Sequence, residues 1–218
     1  MSSNVSAPAR SEPASQSARK GEAAVQPRPR DRILATAREL FYRYGIQSVG
    51  VDQIAAAAGT NKMTLYRHFQ SKDVLIAECL RSVVDAFDRD WDRIAQSYHD
   101  DPQGQLRAWL AFTVEFLVKE ADGACALSNA AVQLAGRDDP AWTVIEEAMT
   151  AHRRKLAALC RQTGYADPDA LSDELLLLLE GARVNIRIFG SGSPAVRLDA
   201  MIRSLVERHS GAEGRSAS

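Results

Sequence analysis

The chain has 218 residues, of which 45% are apolar and 25% charged, an ordinary balance for a soluble globular protein of one or two domains. There is no apolar run near the roughly 18 residues a membrane span needs, the longest near the C-terminus being Leu175–Leu179. The overall charge of −1 divides unevenly: residues 1–75 hold 11 Lys/Arg against 6 Asp/Glu, and the remainder 16 against 22, so the basic front half is the part expected to meet an anionic partner. The N-terminus lacks the apolar core of a signal peptide, so a cytoplasmic location is expected. Cys79, Cys125 and Cys160 form no CxxC pair, which points away from a disulfide framework or a zinc site.

Residues 1–28 are rich in Ser, Ala, Pro and Gln and poor in large apolar side chains, the composition of a disordered segment. Its Arg10, Arg19, Lys20 and Arg28, with Arg30 just beyond, make it either a solubilising tail or a basic arm along a nucleic-acid backbone. After Pro29, the residues Ile33, Leu34, Ala37, Leu40, Phe41 and Tyr44 share one helical face, with Asp31 as a cap and Gly45 as the stop. A short helix over 51–58 ends at Gly59, and another runs from the N-cap Asn61 to Phe69. From Ser71, apolar residues keep helical spacing as far as Ile94, over roughly 35 Å. Further helices are expected at 103–120, 124–136, 140–163, 168–189 and 194–209, separated by Pro102, Gly123, Gly136 with Pro140, Gly164 with Pro168, and the Gly190–Pro194 turn. Residues 210–218 read as a disordered tail, and no strand pattern or fixed-period repeat is found.

Residues 45–72 carry the chemistry. Two short helices around a Gly59 turn have the outline of a helix-turn-helix. Ile54, Ala55, Ala58, Leu65 and Phe69 supply its packing side, which leaves Lys62, Met63, Thr64, Tyr66 and His68 towards the open side. A helix lying in a major groove reads base edges with such residues: Lys62 fits guanine or phosphate, Thr64 a phosphate or a thymine methyl, and Tyr66 and His68 phosphates. The free amides at the start of the next helix, with Lys72, suit a further phosphate. Composition and spacing alone leave a plain helical hairpin open.

The stretch Gly45-Ile-Gln-Ser-Val-Gly-Val-Asp-Gln-Ile-Ala-Ala-Ala-Ala-Gly59, followed by Thr60-Asn-Lys-Met-Thr-Leu-Tyr-Arg-His-Phe-Gln-Ser-Lys-Asp73, resembles the DNA-binding domain of the TetR (tetracycline-repressor) family. The core from Thr64 to Lys72 is very specific for that family, and the resemblance covers about residues 29–80. It implies an all-α dimeric repressor with an N-terminal three-helix DNA-binding domain at 29–75. A helical domain at 76–209 would hold a small-molecule pocket and the dimer contact. It also implies DNA contacts at Lys62, Thr64, Tyr66, His68 and Lys72, and at the start of the second helix near Gly50, Val51 and Asp52. The chain departs from the family in having Gly50 where Thr or Ser is common, and Met63 where Gly is common; the first lacks a hydroxyl contact and the second alters the groove surface.

The rest of the chain offers candidates for the pocket. Trp109, Phe112, Thr113 and Phe116 share a face, Asn129 and Gln133 are four apart in an apolar helix, Trp142 opens the next, and Glu180, Arg183 and Asn185 interrupt a leucine-rich one. Of these, Trp109, Phe112, Phe116, Asn129, Gln133, Trp142 and Arg183 are taken as the pocket, against ordinary core packing of the aromatics. His152, beside Arg153, Arg154 and Lys155, reads as solvated or at an interface, and Cys125 and Cys160 as small buried hydrophobes. Leu175, Leu178, Leu179, Ala182 and Ile186 form one broad stripe, and Leu198, Met201, Ile202 and Leu205 a second. Helices so widely apolar need burial on more than one side, either in a dimeric four-helix bundle or in an intramolecular core. The bundle is the expectation.

No HExxH, GxSxG, phosphate loop or GxGxxG occurs, and the four histidines lack metal-ligand spacing. The expectation is a non-enzymatic, ligand-responsive regulator with no cofactor or metal. Its partners are double-stranded operator DNA carrying an inverted repeat, a small apolar effector and a second copy of itself, with no membrane. A helical enzyme and a non-specific DNA binder are the alternatives.

Overall fold

The structure is a computed structural model that describes residues 28–119, 125–134, 136 and 138–210. The expected N-terminal tail up to residue 27, the break at Gly123 and the C-terminal tail beyond Ser210 lie outside the described residues. Within them the chain is helical: α1 (Pro29–Tyr44), α2 (Val51–Ala57), α3 (Lys62–His68), α4 (Lys72–Ser97), α5 (Pro102–Lys119), α6 (Ala126–Gln133), α7 (Pro140–Gln162), α8 (Pro168–Phe189) and α9 (Leu198–Ser210), with 3₁₀ turns at Gly190–Gly192 and Pro194–Arg197.

The starts are set by short polar side chains that accept otherwise unpaired amides. Asn61 Oδ1 takes Thr64 N at 2.9 Å, Ser71 Oγ takes Val74 N at 3.1 Å, Asp139 Oδ1 takes Ala141 N at 2.8 Å and Asp167 Oδ1 takes Ala170 N at 3.0 Å. At α1 the expected cap differs. The flanking residue is Arg28, with no side-chain cap, and Pro29 opens the helix. Asp31 sits inside the first turn, where its charge favours the positive helix end without capping it. The helix expected over 124–136 is shorter at its end, because Leu134 is extended and the Gln133 carbonyl accepts Gln47 Nε2 at 2.9 Å instead of continuing the ladder. The last helix starts later than expected, since 194–197 form a 3₁₀ turn.

Three apolar clusters hold the molecule together, and α4 enters all of them. Leu75 and Cys79 close the core of α1–α3 with Ile33, Ala37, Ile54, Leu65 and Phe69. One face further round, Ile76, Ala77 and Leu80 pack on Ala130 of α6 and Ala141, Val144 and Ile145 of α7. At the far end, Trp91 and Ile94 join the large core of α5, α7, α8 and α9. Full burial of a side chain such as Leu65 or Phe69 contributes about 1.5–3 kcal/mol. A helix of 26 residues is about 39 Å long, so α4 is a stiff member with one end in each core. No described helix is long and apolar enough to cross a membrane.

Candidate functional site

The α2–α3 unit turns at Gly59, whose φ of 63° is a left-handed conformation that favours glycine. Leu65 and Phe69 bury one side of α3, which directs the other side outward. Met63 is 83% exposed, and Lys62 and Tyr66 are also exposed, as expected of a surface that enters a groove. Thr64 is half-buried. Gly50 caps α2 with no side-chain bond, Val51 is half-buried, and the exposed Asp52 pairs with Lys62 at 3.2 Å. That pair is open to water and weak, so the Lys62 ammonium can leave it for a stronger anion. Arg67, which was not singled out in the sequence, is a further exposed cation on the same short helix.

Two expected DNA contacts are placed differently. His68 is half-buried and its Nε2 is fully buried without a hydrogen-bond partner, so that atom is not open to a phosphate. Lys72 Nζ donates to the Ile46 carbonyl at 2.7 Å, part-buried, which ties the start of α4 to the α1–α2 loop; two of its N–H groups remain for a phosphate. The same loop is held from the other side. Ile46 N donates to Gln133 Oε1 at 2.8 Å, and a Cβ on Gly45, at φ 81°, would stand 2.9 Å from that oxygen. Gly45 therefore both stops α1 and lets α6 approach.

Above this loop lies a cavity of about 680 Å³, walled by α1, α4, α5, α6, α7 and α8. The volume is within the range of small-molecule sites. Of the expected pocket residues, Phe112, Phe116, Asn129, Gln133 and Arg183 line it. Trp109 and Trp142 do not. Trp109 is buried in the large core, edge-on to Trp91 at 5.6 Å, and Trp142 sits at the first turn of α7, away from the cavity. The reading of His152 as solvated is also corrected: it lines the cavity, its ring 4.7 Å from Phe87 and 5.4 Å from Trp109. Of the charged neighbours in sequence, Arg153 and Arg154 are exposed, whereas Lys155, three residues on and so on the same side of the helix, is half-buried and pairs with Asp88 at 2.7 Å. Burial, and then the Arg183 and Lys155 cations, lower His152 from its usual 6.5 to about 4, with Asp88 opposing. Its Nε2 is buried and has no hydrogen-bond partner. Arg183 Nε stands 3.5 Å from Glu180 Oε1, an ion pair without a hydrogen bond, while Glu180 Oε2 accepts Ser128 Oγ at 2.9 Å. The α1 side of the wall, Arg38, Phe41 and Tyr42, was not foreseen; nothing in a single helix's periodicity shows which distant helix faces it. Burial pushes the thiols of Cys79 and Cys160 up to about 12 and about 11, consistent with small inert hydrophobes.

The expected dimer stripes need a correction of register. Leu175, Leu179, Ala182, Ile186, Leu198, Ile202 and Leu205 are buried inside this chain's own large core, and Leu178 packs against it. Of the nine residues only Met201 is open, at 49% exposure. The unpartnered apolar face of α8 is the opposite one, where Leu177 (74% exposed), Val184 (57%) and Ile188 (65%) recur at helical spacing around Gly181, with Val196 exposed just beyond. Both sides of α8 are apolar, and the chain's own core takes the first.

Comparison with known proteins agrees with this arrangement. Residues 33–79 match the family described as bacterial regulatory proteins, tetR family. The chain is 30% identical over 91 residues to the HTH-type transcriptional regulator EthR of Mycolicibacterium smegmatis, covering 40% of this chain and 42% of that one. It is 30% identical over 105 residues to the HTH-type transcriptional activator FasR of the same organism, 48% of each chain. The alignment thus spans less than half the length of these curated relatives. Over a larger span, it superposes on the crystal structure of SCO4454, a TetR-family transcriptional regulator from Streptomyces coelicolor, with a TM-score of 0.77 and 27% identity, covering 84% of this chain and 96% of that one. With the helix-turn-helix built as above, residues 33–79 match the tetR family of bacterial regulatory proteins, and the helical layout over 84% of the chain is similar to that of a TetR-family transcriptional regulator.

Proposed function

We propose that the protein is a ligand-responsive repressor that binds an inverted-repeat operator as a homodimer and leaves it when a small, largely apolar molecule fills the cavity. In this reading residues 29–75 bind DNA, and 76–209 carry the ligand and dimer functions. Lys62, Met63, Thr64, Tyr66 and Arg67 present the groove-facing surface, with Lys72 and the start of α2 at the phosphates.

The observation that carries the reading is the position of the cavity. Phe41, Tyr42 and Ile46 of the DNA-binding unit form one wall, and Met149, His152 and Arg183 of the other domain form another. An occupant therefore touches both bodies and alters how they sit. In a two-fold dimer a small rotation of each DNA-binding unit changes the separation of the two α3 helices, which must match about 34–36 Å along the duplex. A ligand that prefers the splayed state a hundredfold shifts the balance by about 2.7 kcal/mol. The stripe of Leu177, Val184 and Ile188 is the face that supports a second copy, because an exposed apolar row of this length on a helix next to the C-terminal helix needs covering.

The test is a gel-shift titration on a duplex selected by the protein, repeated in the presence of hydrophobic metabolites and drugs. Release of the duplex by a compound that also changes Trp91 or Trp109 emission is expected. A compound that binds this domain and leaves operator affinity unchanged contradicts the coupling.

A further inference from the structure

Among the described residues, every carboxylate on the cavity wall already has a cation. Glu39 pairs with Arg43 at 3.0 Å, Asp88 with Lys155 at 2.7 Å, Asp90 with Arg93 at 2.9 Å, and Glu180 with Arg183 at 3.5 Å. Arg38 is exposed on α1. His152 is neutral, wrapped by Phe87, Trp91 and Trp109. A ligand cation entering this space finds no unpaired anion, and a ligand anion must be stripped of water beside Glu180. Burying either charge without a partner is costly. Yet two polar atoms remain unanswered there: Arg183 Nε and His152 Nε2 are both buried without a hydrogen bond. A buried group left in this way costs free energy that an incoming partner recovers.

We infer that the cavity selects an uncharged, mainly apolar molecule carrying a carbonyl-type oxygen, which is held at the polar end formed by Arg183, Glu180 and His152. This rests on the cavity being the effector site proposed above, and it adds the chemical class of the effector. Arg183 is the specificity-determining cation, and Glu180 is the counter-charge that keeps carboxylates out. The long apolar remainder, including Phe87, Phe112 and Met149, takes the ligand body.

The test uses three probes with one alkyl chain: methyl undecanoate, undecanoate and undecylammonium. Binding to the full-length protein is read from tryptophan emission without DNA. The ester is expected to bind the wild-type protein at least about tenfold more tightly than either charged probe, the scale of one hydrogen bond to a charged group together with the avoided burial of an unpaired ion. Glu180→Gln frees Arg183 and is expected to move the preference towards undecanoate. Arg183→Met frees Glu180 and is expected to move it towards undecylammonium. Tighter binding of a charged probe to the wild type, unchanged charge preference in both variants, or no binding of any probe would each overturn the inference. Operator release is measured separately. An ester that binds with the expected selectivity and leaves the DNA complex intact refutes the regulatory reading while the ligand class stands.

Discussion

Gln133 of α6 accepts the Ile46 amide at 2.8 Å, and so fixes the α1–α2 loop to a helix that lines the cavity. Lys72 at the start of α4 donates to the carbonyl of the same residue at 2.7 Å, so the two peptide units that flank the Ile46 Cα are held, one from the cavity side and the other from the α3–α4 corner. Since Gln133 also faces the cavity, an occupant competes directly with this clasp. Gln133→Leu removes the acceptor and leaves the Ile46 amide unpaired, a cost of about 1–3 kcal/mol. The expected result is faster hydrogen exchange at the Ile46 amide and an operator affinity that responds less to ligand. Unchanged exchange at Ile46 together with a full ligand response would remove Gln133 from the coupling.

The exposed row on α8 sets the second expectation. Val184→Glu places a charge at the centre of the Leu177–Ile188 stripe without touching the chain's own core. It should yield monomers that keep the helical spectrum of the wild type and lose tight binding to a full inverted repeat. Leu179→Glu, by contrast, buries a charge inside the chain and should unfold it. Sedimentation of both variants separates the two faces of α8; a dimeric Val184→Glu protein contradicts the assignment.

His152 gives the protein a defined acid sensitivity. Folded, it titrates at about 4; unfolded, near 6.5. Between these values the unfolded chain binds more protons, so stability falls as pH drops from 6.5 towards 4 and is unaffected by this group above 6.5. The full loss is on the order of 3 kcal/mol. Urea midpoints across this window should show the slope, and His152→Phe should flatten it. An equal slope in both proteins contradicts the neutral, buried imidazole.

The helix-turn-helix was legible because its determinants are local. The Asn61 cap, the Gly59 turn and the four-residue spacing of Leu65 and Phe69 lie within a dozen residues of one another. The cavity was legible only in part. Phe112, Asn129, Gln133 and Arg183 stand out as polar or aromatic interruptions, whereas the contribution of Phe41 and Tyr42 depends on how α1 meets α6 and α7. Sequence does not separate the two faces of α8, because Leu175 and Leu179 on one side and Leu177 and Val184 on the other are equally apolar. Periodicity gives the stripes, and only packing says which of them the chain covers itself. His152 was masked by the three cations that follow it in sequence.

The most direct measurement is selection of bound duplexes from a random pool, followed by anisotropy titration of the winner with Lys62→Ala and Tyr66→Phe. Neither residue is in the core, so both variants should melt as the wild type does. The account predicts enrichment of an inverted repeat, and a loss of about 1–3 kcal/mol in binding for a variant that loses a base contact. A lost phosphate contact should instead weaken all sequences alike and flatten the salt dependence. A pool that stays unenriched, or affinities of both variants equal to that of the wild type, would contradict it.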